Sequence, residues 1–204
     1  MVAGEGKPRD IKKWMKQRAR RGFSDYDIFE INTWFLKIMP EMISELVKNN
    51  NGFPNFLKEK YLKDHNLDEF NLTEEQDSQL GEECLKEWTS ILLKMEHAFY
   101  EARKETSSYK NKYQEEYSKA RKEYLDKYGF HGEKIKNNPY IEYRPDGSCC
   151  ISYEGNPYIF HRMDKYKEIC ALYRDEEMNI HKYRKEQTKK ALDMFVKYFD
   201  ELWW

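Results

Sequence analysis

The amino-acid sequence predicts an all-α helical bundle with two long antiparallel helices and one small β-hairpin insertion. Three observations predict it. Apolar residues recur at three- and four-residue steps over three long stretches, the pattern of helices with one buried face. Charged residues make up 36% of the chain and hydrophobic residues 39%, a balance that suits a narrow buried stripe and a broad solvated side. The 16 Tyr, 11 Phe and 5 Trp supply more aromatic surface than disordered chains carry, so a thin core is expected rather than disorder.

Taken in order, residues 1–9 hold Gly4, Gly6 and Pro8 and read as a flexible N-terminus. A single helical domain is expected over 10–204. Its core comes from 22–54, 73–100 and 188–204, its projecting helices from 101–128 and 164–187, and a hairpin insertion from 129–163. The first helix starts at Asp10 and ends at the Arg20-Arg21-Gly22 break. It is strongly basic: Lys7, Arg9, Lys12, Lys13, Lys16, Arg18, Arg20 and Arg21 face Asp10 alone, in a chain whose net charge is only −1.

Ser24 with Asp27 three residues later is a capping-box variant, each side chain able to satisfy an orphan backbone N–H. Behind it Ile28, Ile31, Phe35, Ile38, Met39, Met42, Leu46 and Val47 keep helical spacing. Pro40 cannot donate to the preceding turn, so a kink or break is expected near Ile38–Pro40. The Asn49-Asn50-Asn51-Gly52 run ends this helix, and Pro54 prevents its resumption.

Residues 55–72 read as a loop with a short helix around Leu57–Leu62. Thr73 and Gln76 form a second capping box. It opens a helix carrying Leu80, Cys84, Trp88, Ile91, Leu92, Met95 and Phe99, then a ladder of Tyr109, Tyr113, Tyr117, Ala120, Tyr124 and Tyr128. One unbroken helix of about 50 residues would reach roughly 75 Å and needs a partner helix.

Gly129 and Gly132 end it. Tyr140–Tyr143 and Cys149–Tyr153, either side of Pro145-Asp146-Gly147, form the hairpin. Asp164 caps the last helix, whose seam runs from Tyr166, Ile169, Leu172 and Tyr173 through Ile180 and Tyr183 to Ala191, Leu192, Phe195, Phe199 and Leu202. Its first half is expected to pair with the tyrosine-rich helix. Its second half is apolar enough to return to the core.

Chemistry is sparse. None of His65, His97, His131, His161 and His181 has Glu three residues before it, so a di-metal helical site is not predicted. No Cys-x-x-Cys occurs, and Cys84, Cys149, Cys150 and Cys170 lack a disulfide spacing and read as reduced thiols. Asp25 and Asp27 could hold a divalent cation with Asn32 and Glu41 or Glu96, but capping explains both aspartates more simply. No phosphate loop or nucleophile elbow is present. No catalytic residue, metal ligand or cofactor is therefore assigned. No apolar run reaches the roughly 18 residues of a membrane span, and no signal peptide is recognisable, so no membrane partner is expected.

The run Arg21-Gly22-Phe23-Ser24-Asp25-Tyr26-Asp27, with Trp34-Phe35-Leu36, Ile38-Met39-Pro40, Gly52-Phe53-Pro54 and Lys197-Tyr198-Phe199 before Leu202-Trp203, resembles a family of small phage and prophage proteins. Phe29, Asn32 and Trp204 depart from the family's usual Trp, acidic residue and Asp. The resemblance covers most of 21–128 and 164–204. It implies a phage-borne origin and action in the cytoplasm of an infected bacterium, and it supplies no catalytic residue.

The expected function is a non-enzymatic phage accessory protein that binds and inhibits a bacterial host target, plausibly a defence-system component. Its recognition elements would be the hairpin and tyrosine helix, through Tyr113, Tyr117, Tyr140, Tyr143, Arg144 and Tyr153. The alternative is nucleic-acid binding through the basic helix, using Lys12, Lys13, Lys16, Arg18, Arg20 and Arg21 for phosphates and Trp14 for stacking on a base. A second alternative is a metal-dependent enzyme built on Asp25 and Asp27. Homo-oligomer formation is compatible with all three.

Overall fold

The structure is a computed structural model and describes residues 8–128, 141–143, 149–151 and 164–202. It is all-α in character. Its helices are α1 Pro8–Arg21, α2 Asp25–Phe29, α3 Ile31–Asn49, α4 Asn55–Asp64, α5 Glu74–Ala102, α6 Gln114–Tyr128 and α7 Asp164–Lys197. The chain forms two compact units. Met1–Ser108 with Arg184–Trp204 makes the first, and Tyr109–Tyr183 the second.

In the first unit, α5 supplies the centre of the core. Its capping box is formed as the local sequence dictates: Gln76 N–H donates to Thr73 Oγ1 at 3.2 Å, and Thr73 N–H donates to Gln76 Oε1 at 2.9 Å. Trp88, Leu92, Met95 and Phe99 follow one face and are almost wholly buried. Phe35 of α3, Phe99 of α5 and Phe195 of α7 meet edge to face in a three-ring cluster, with centroids 5.6–6.3 Å apart. Such pairs add about 0.5–1.5 kcal/mol each beyond the area they bury. Trp88, Phe56 and Tyr198 make a second three-ring group beside it.

Helix α4 is longer than the sequence suggests. It closes with Asn66 in the left-handed region at φ 52°, while Leu67 N–H donates to Leu62 O and Asn66 N–H to Lys63 O. That pair of bonds is a Schellman stop, with asparagine in the place glycine usually takes.

Three expectations need correction. The helix from Ser24 is not continuous to Val47, because it breaks at Glu30, whose φ of −130° and ψ of 52° lie outside the helical range. Residues before and after the break no longer share one stripe, so Ile28 and Ile31 are exposed at 56% and 66% instead of buried. Met42, expected on the buried face, is also exposed. Pro40 causes no break: α3 runs through it, and Pro40 is buried within the helix. One backbone hydrogen bond is lost there, and packing holds the helix together across the gap.

The third correction concerns the predicted 50-residue helix. α5 stops at Ala102, and α6 begins only at Gln114. The stop is made by side chains rather than by glycine or proline. Glu101 is buried and accepts hydrogen bonds from Ser108 N–H at 2.9 and 3.0 Å, from Ser108 Oγ at 2.9 Å and from Ser107 Oγ at 3.3 Å. Thr106 Oγ1 donates to Tyr100 O at 2.6 Å. The chain is folded back on the helix end, where Thr106 Oγ1 and Arg103 N–H satisfy the orphan carbonyl of Tyr100.

In the second unit, Ala120, Tyr124, Tyr166, Ile169 and Cys170 form a small core flanked by Tyr113 and Tyr117. Tyr109 meets Tyr183 edge to face, and Tyr117 stacks on Tyr173 with ring centroids 4.1 Å apart. Asn111 Nδ2 donates to Tyr173 O at 3.0 Å and to Glu177 Oε1 at 2.9 Å, and Tyr173 OH donates to Gln114 Oε1 at 3.1 Å. Strand β1, Ile141–Tyr143, pairs antiparallel with β2, Cys149–Ile151, with Ile141 opposite Ile151. The Pro145-Asp146-Gly147 turn and the rest of 129–163 lie outside the described residues, as do residues 1–7, Trp203 and Trp204.

Candidate functional site

The basic helix α1 is the best-defined polar feature of the first unit. It ends where Gly22 N–H donates to Arg18 O at 2.9 Å and Gly22 adopts φ +81°, a conformation that favours glycine. This turn brings the start of α2 back against α1.

The contact is dense in hydrogen bonds. Arg18 grips Asp27 with two parallel bonds, Nε to Oδ2 at 2.9 Å and Nη2 to Oδ1 at 2.5 Å. Asp27 also accepts from Ser24 N–H at 2.7 Å and Ser24 Oγ at 2.8 Å, so the capping box and the ion pair share one buried carboxylate. The Arg18 guanidinium holds the Asp27 carboxyl down at about 2, with the Ser24 bonds assisting against the cost of burial. The same pair raises Arg18.

Asp25 is bound by three donors. Gln17 Nε2 reaches it at 2.7 Å, Lys13 Nζ at 3.2 Å, and Arg21 Nη2 closes on the other oxygen. The Gln17 bond, followed by those of Arg21 and Lys13, lowers its carboxyl to about 2. Asp25 N–H returns a bond to Gln17 Oε1 at 3.0 Å. Arg21 also donates to Phe23 O at 3.0 Å and lies 4.7 Å over the Phe23 ring. Trp14 is placed against Tyr26, with ring centroids 4.7 Å apart.

The seven predicted surface residues of α1 therefore divide. Lys13, Trp14, Arg18 and Arg21 are engaged with α2 and its N-terminal turn. Lys12, Lys16 and Arg20 stay exposed and form no hydrogen bond or ion pair among the described residues; with Lys13 and Gln17 they line a shallow depression. Trp14 is not available to stack on a base without leaving Tyr26. The division was invisible in the sequence, because the spacing that aligns Lys12, Lys16 and Arg20 says nothing about which face docks.

The tyrosine residues are placed differently from a free recognition face. Tyr113 and Tyr117 are half-buried against the small core of the second unit. Tyr143 has its backbone in β1, while its side chain and the residues Tyr140, Arg144 and Tyr153 lie outside the described residues. No group of three His, Cys, Asp or Glu side chains able to hold a metal ion occurs among the described residues. Asp25 and Asp27, which a hard cation would need, already accept hydrogen bonds from arginine, lysine, glutamine and serine donors.

Two apolar surfaces were missed by periodicity. The first is the α2–α3 corner, where Phe29 is 88% exposed between exposed Ile28 and Ile31, with Phe23 partly exposed before them. The second is a groove of about 490 Å³ along α3, lined by Ile38, Met39, Met42, Ile43, Leu46 and Leu202 with Glu41 and Glu45 at its side. No helix among the described residues is long and apolar enough to cross a membrane. No family model, curated protein or solved structure matches the chain.

Proposed function

We propose that this protein is a non-enzymatic phage accessory protein that binds and inhibits a host protein in the bacterial cytoplasm, with a defence component as the expected target. The observation that carries the reading is the Ile28-Phe29-Ile31 corner. The end of α2 and the start of α3 present three large apolar side chains to solvent in a chain that buries Trp88, Phe99 and Leu92 almost completely. Contiguous exposed apolar groups of this kind mark interaction surfaces in soluble folds. The Met39–Met42 groove on α3 is a second apolar element, and flexible methionine side chains suit it to adapt to a partner. On this reading α6 and the first half of α7 pair antiparallel, and the hairpin insertion serves as a further recognition arm that includes Tyr143.

The test is affinity capture from infected host lysate with the wild-type chain, a Phe29→Ser/Ile31→Ser chain and a Tyr143→Ala chain. Phe29 and Ile31 are exposed, so their replacement should leave helicity and unfolding midpoint unchanged. The expected outcome is one host protein recovered by the wild type and reduced at least tenfold with the corner variant. Equal recovery by both would remove the corner from the interface.

A further inference from the structure

We propose that the outer face of α1, formed by Lys12, Lys16 and Arg20, is a docking surface for the phosphodiester backbone of a nucleic acid, bound without sequence preference. This surface is independent of the apolar corner. At 100° per residue, Lys12, Lys16 and Arg20 lie on the side of α1 opposite Arg18, and they recur every four residues, about 6 Å along the axis. Arg18 and Trp14 bind α2, so the docked side and the free side of the helix are set by contacts rather than by composition. The three cations are exposed and unneutralised by any described side chain, in contrast to Lys13 and Arg21, which Asp25 neutralises.

What the face lacks decides the class of partner. Protein interfaces rest on aromatic and aliphatic anchors and are depleted in lysine. A helix lying on a membrane turns an apolar side into the lipid. On α1, Trp14 is held inward against Tyr26, and the exposed Met15 lies to one side of the ridge, about 60° from Lys12 around the helix axis. Lysine and arginine on a ridge without apolar anchors match a partner whose own surface is a regular row of anions. The bonds of Gln17, Arg18 and Arg21 to α2 hold the ridge in place before the partner arrives, so no ordering of a flexible arm opposes binding.

Fluorescence anisotropy of the full chain with a labelled 20-base-pair DNA duplex, titrated from 50 to 200 mM salt, reads the proposal. Three phosphate contacts give a slope of log K against log salt of about −2.7, a loss of roughly 40-fold over that range. The Lys12→Gln/Lys16→Gln/Arg20→Gln chain keeps good helix formers and should lose most of both binding and slope. A Lys48→Gln chain, which removes a cation elsewhere in the first unit, should behave as the wild type. Absence of duplex binding at 50 mM salt overturns the proposal, as does a triple variant that binds with the wild-type slope. Competition by polyglutamate at equal charge would assign the face to an acidic protein. Stronger binding to phosphatidylserine vesicles than to duplex would assign it to a membrane surface; either result overturns the nucleic-acid assignment.

Discussion

The two compact units are both helical, yet they are held together by different chemistry. In the first, Trp88, Leu92, Met95 and Phe99 are dry, and the aromatic contacts around Phe35 and Phe195 are between rings with no polar atom. In the second, the contacts are made by tyrosines and an asparagine, whose rings pack while their polar tips bond: Tyr117 on Tyr173, Tyr173 to Gln114, Asn111 to Tyr173 and Glu177. The dry core of the first unit gains from burial, and its polar networks sit apart from those rings, at Asp25 and Asp27 and at Glu101. The second has a smaller apolar cluster and depends on many hydrogen bonds of about 1 kcal/mol each. The difference teaches that similar helical periodicity can hide two kinds of stability.

The largest expected effect that would break the comparison is on Phe99. Truncating it in Phe99→Ala should cost about 3–5 kcal/mol through lost burial and a residual cavity. Hydrogen exchange should register the loss in α3 and α5. If α6 lost protection to the same degree, the two units would be one cooperative body and the contrast would fail.

A smaller effect separates the Arg18–Asp27 ion pair of the first unit from its dry core. The Asp27 carboxyl is at about 2 when folded, below its value in an unfolded chain. Its contribution is therefore complete above about pH 5 and is lost as pH falls through about 4 toward 2. On the order of 2 kcal/mol of acid-sensitive stability should vanish in Asp27→Asn, flattening the curve of unfolding free energy against pH. An unchanged acid limb would show that the Arg18 pair contributes little beyond its geometry.

The smallest effect belongs to the second unit. Asn111→Ala removes both bonds from Nδ2, at a cost of about 1–2 kcal/mol. Backbone exchange from Gln114 onward should quicken while α5 stays protected. A uniform change across both units would again argue against the contrast.

Much of the fold is legible where the causes are local. The Ser24–Asp27 and Thr73–Gln76 boxes span three residues, and the α5 stripe from Leu80 to Phe99 is read directly from spacing. The break at Ala102 is not legible, because it depends on Glu101 finding Ser107 and Ser108, and neither serine carries a stop signal. Pro40 misleads in the opposite direction, since a proline that ends many helices is here overridden by burial. At the candidate surfaces, the basic character of α1 was plain from composition. Which cations remain free follows only from Arg18 meeting Asp27 and Trp14 meeting Tyr26, contacts that join two helices across a glycine turn. The exposed corner was hidden for a related reason: Glu30 breaks the helix without any residue type that announces it.

Helix α7 contributes to both units, and this has a consequence for how the chain is made. The first unit is discontinuous: Phe195 and Ala191, which complete its core, are synthesised only after the whole of Tyr109–Tyr183. Helices α3, α4 and α5 must therefore wait at the ribosome with one side of Phe35 and Phe99 uncovered. The second unit is continuous and can fold first. By drawing its own ends together, it shortens the effective loop that α7 must close to reach Phe35 and lowers the entropy lost in that step. The tyrosine-lined unit thus acts as a temporal splint, assembling early so that the dry core can close late.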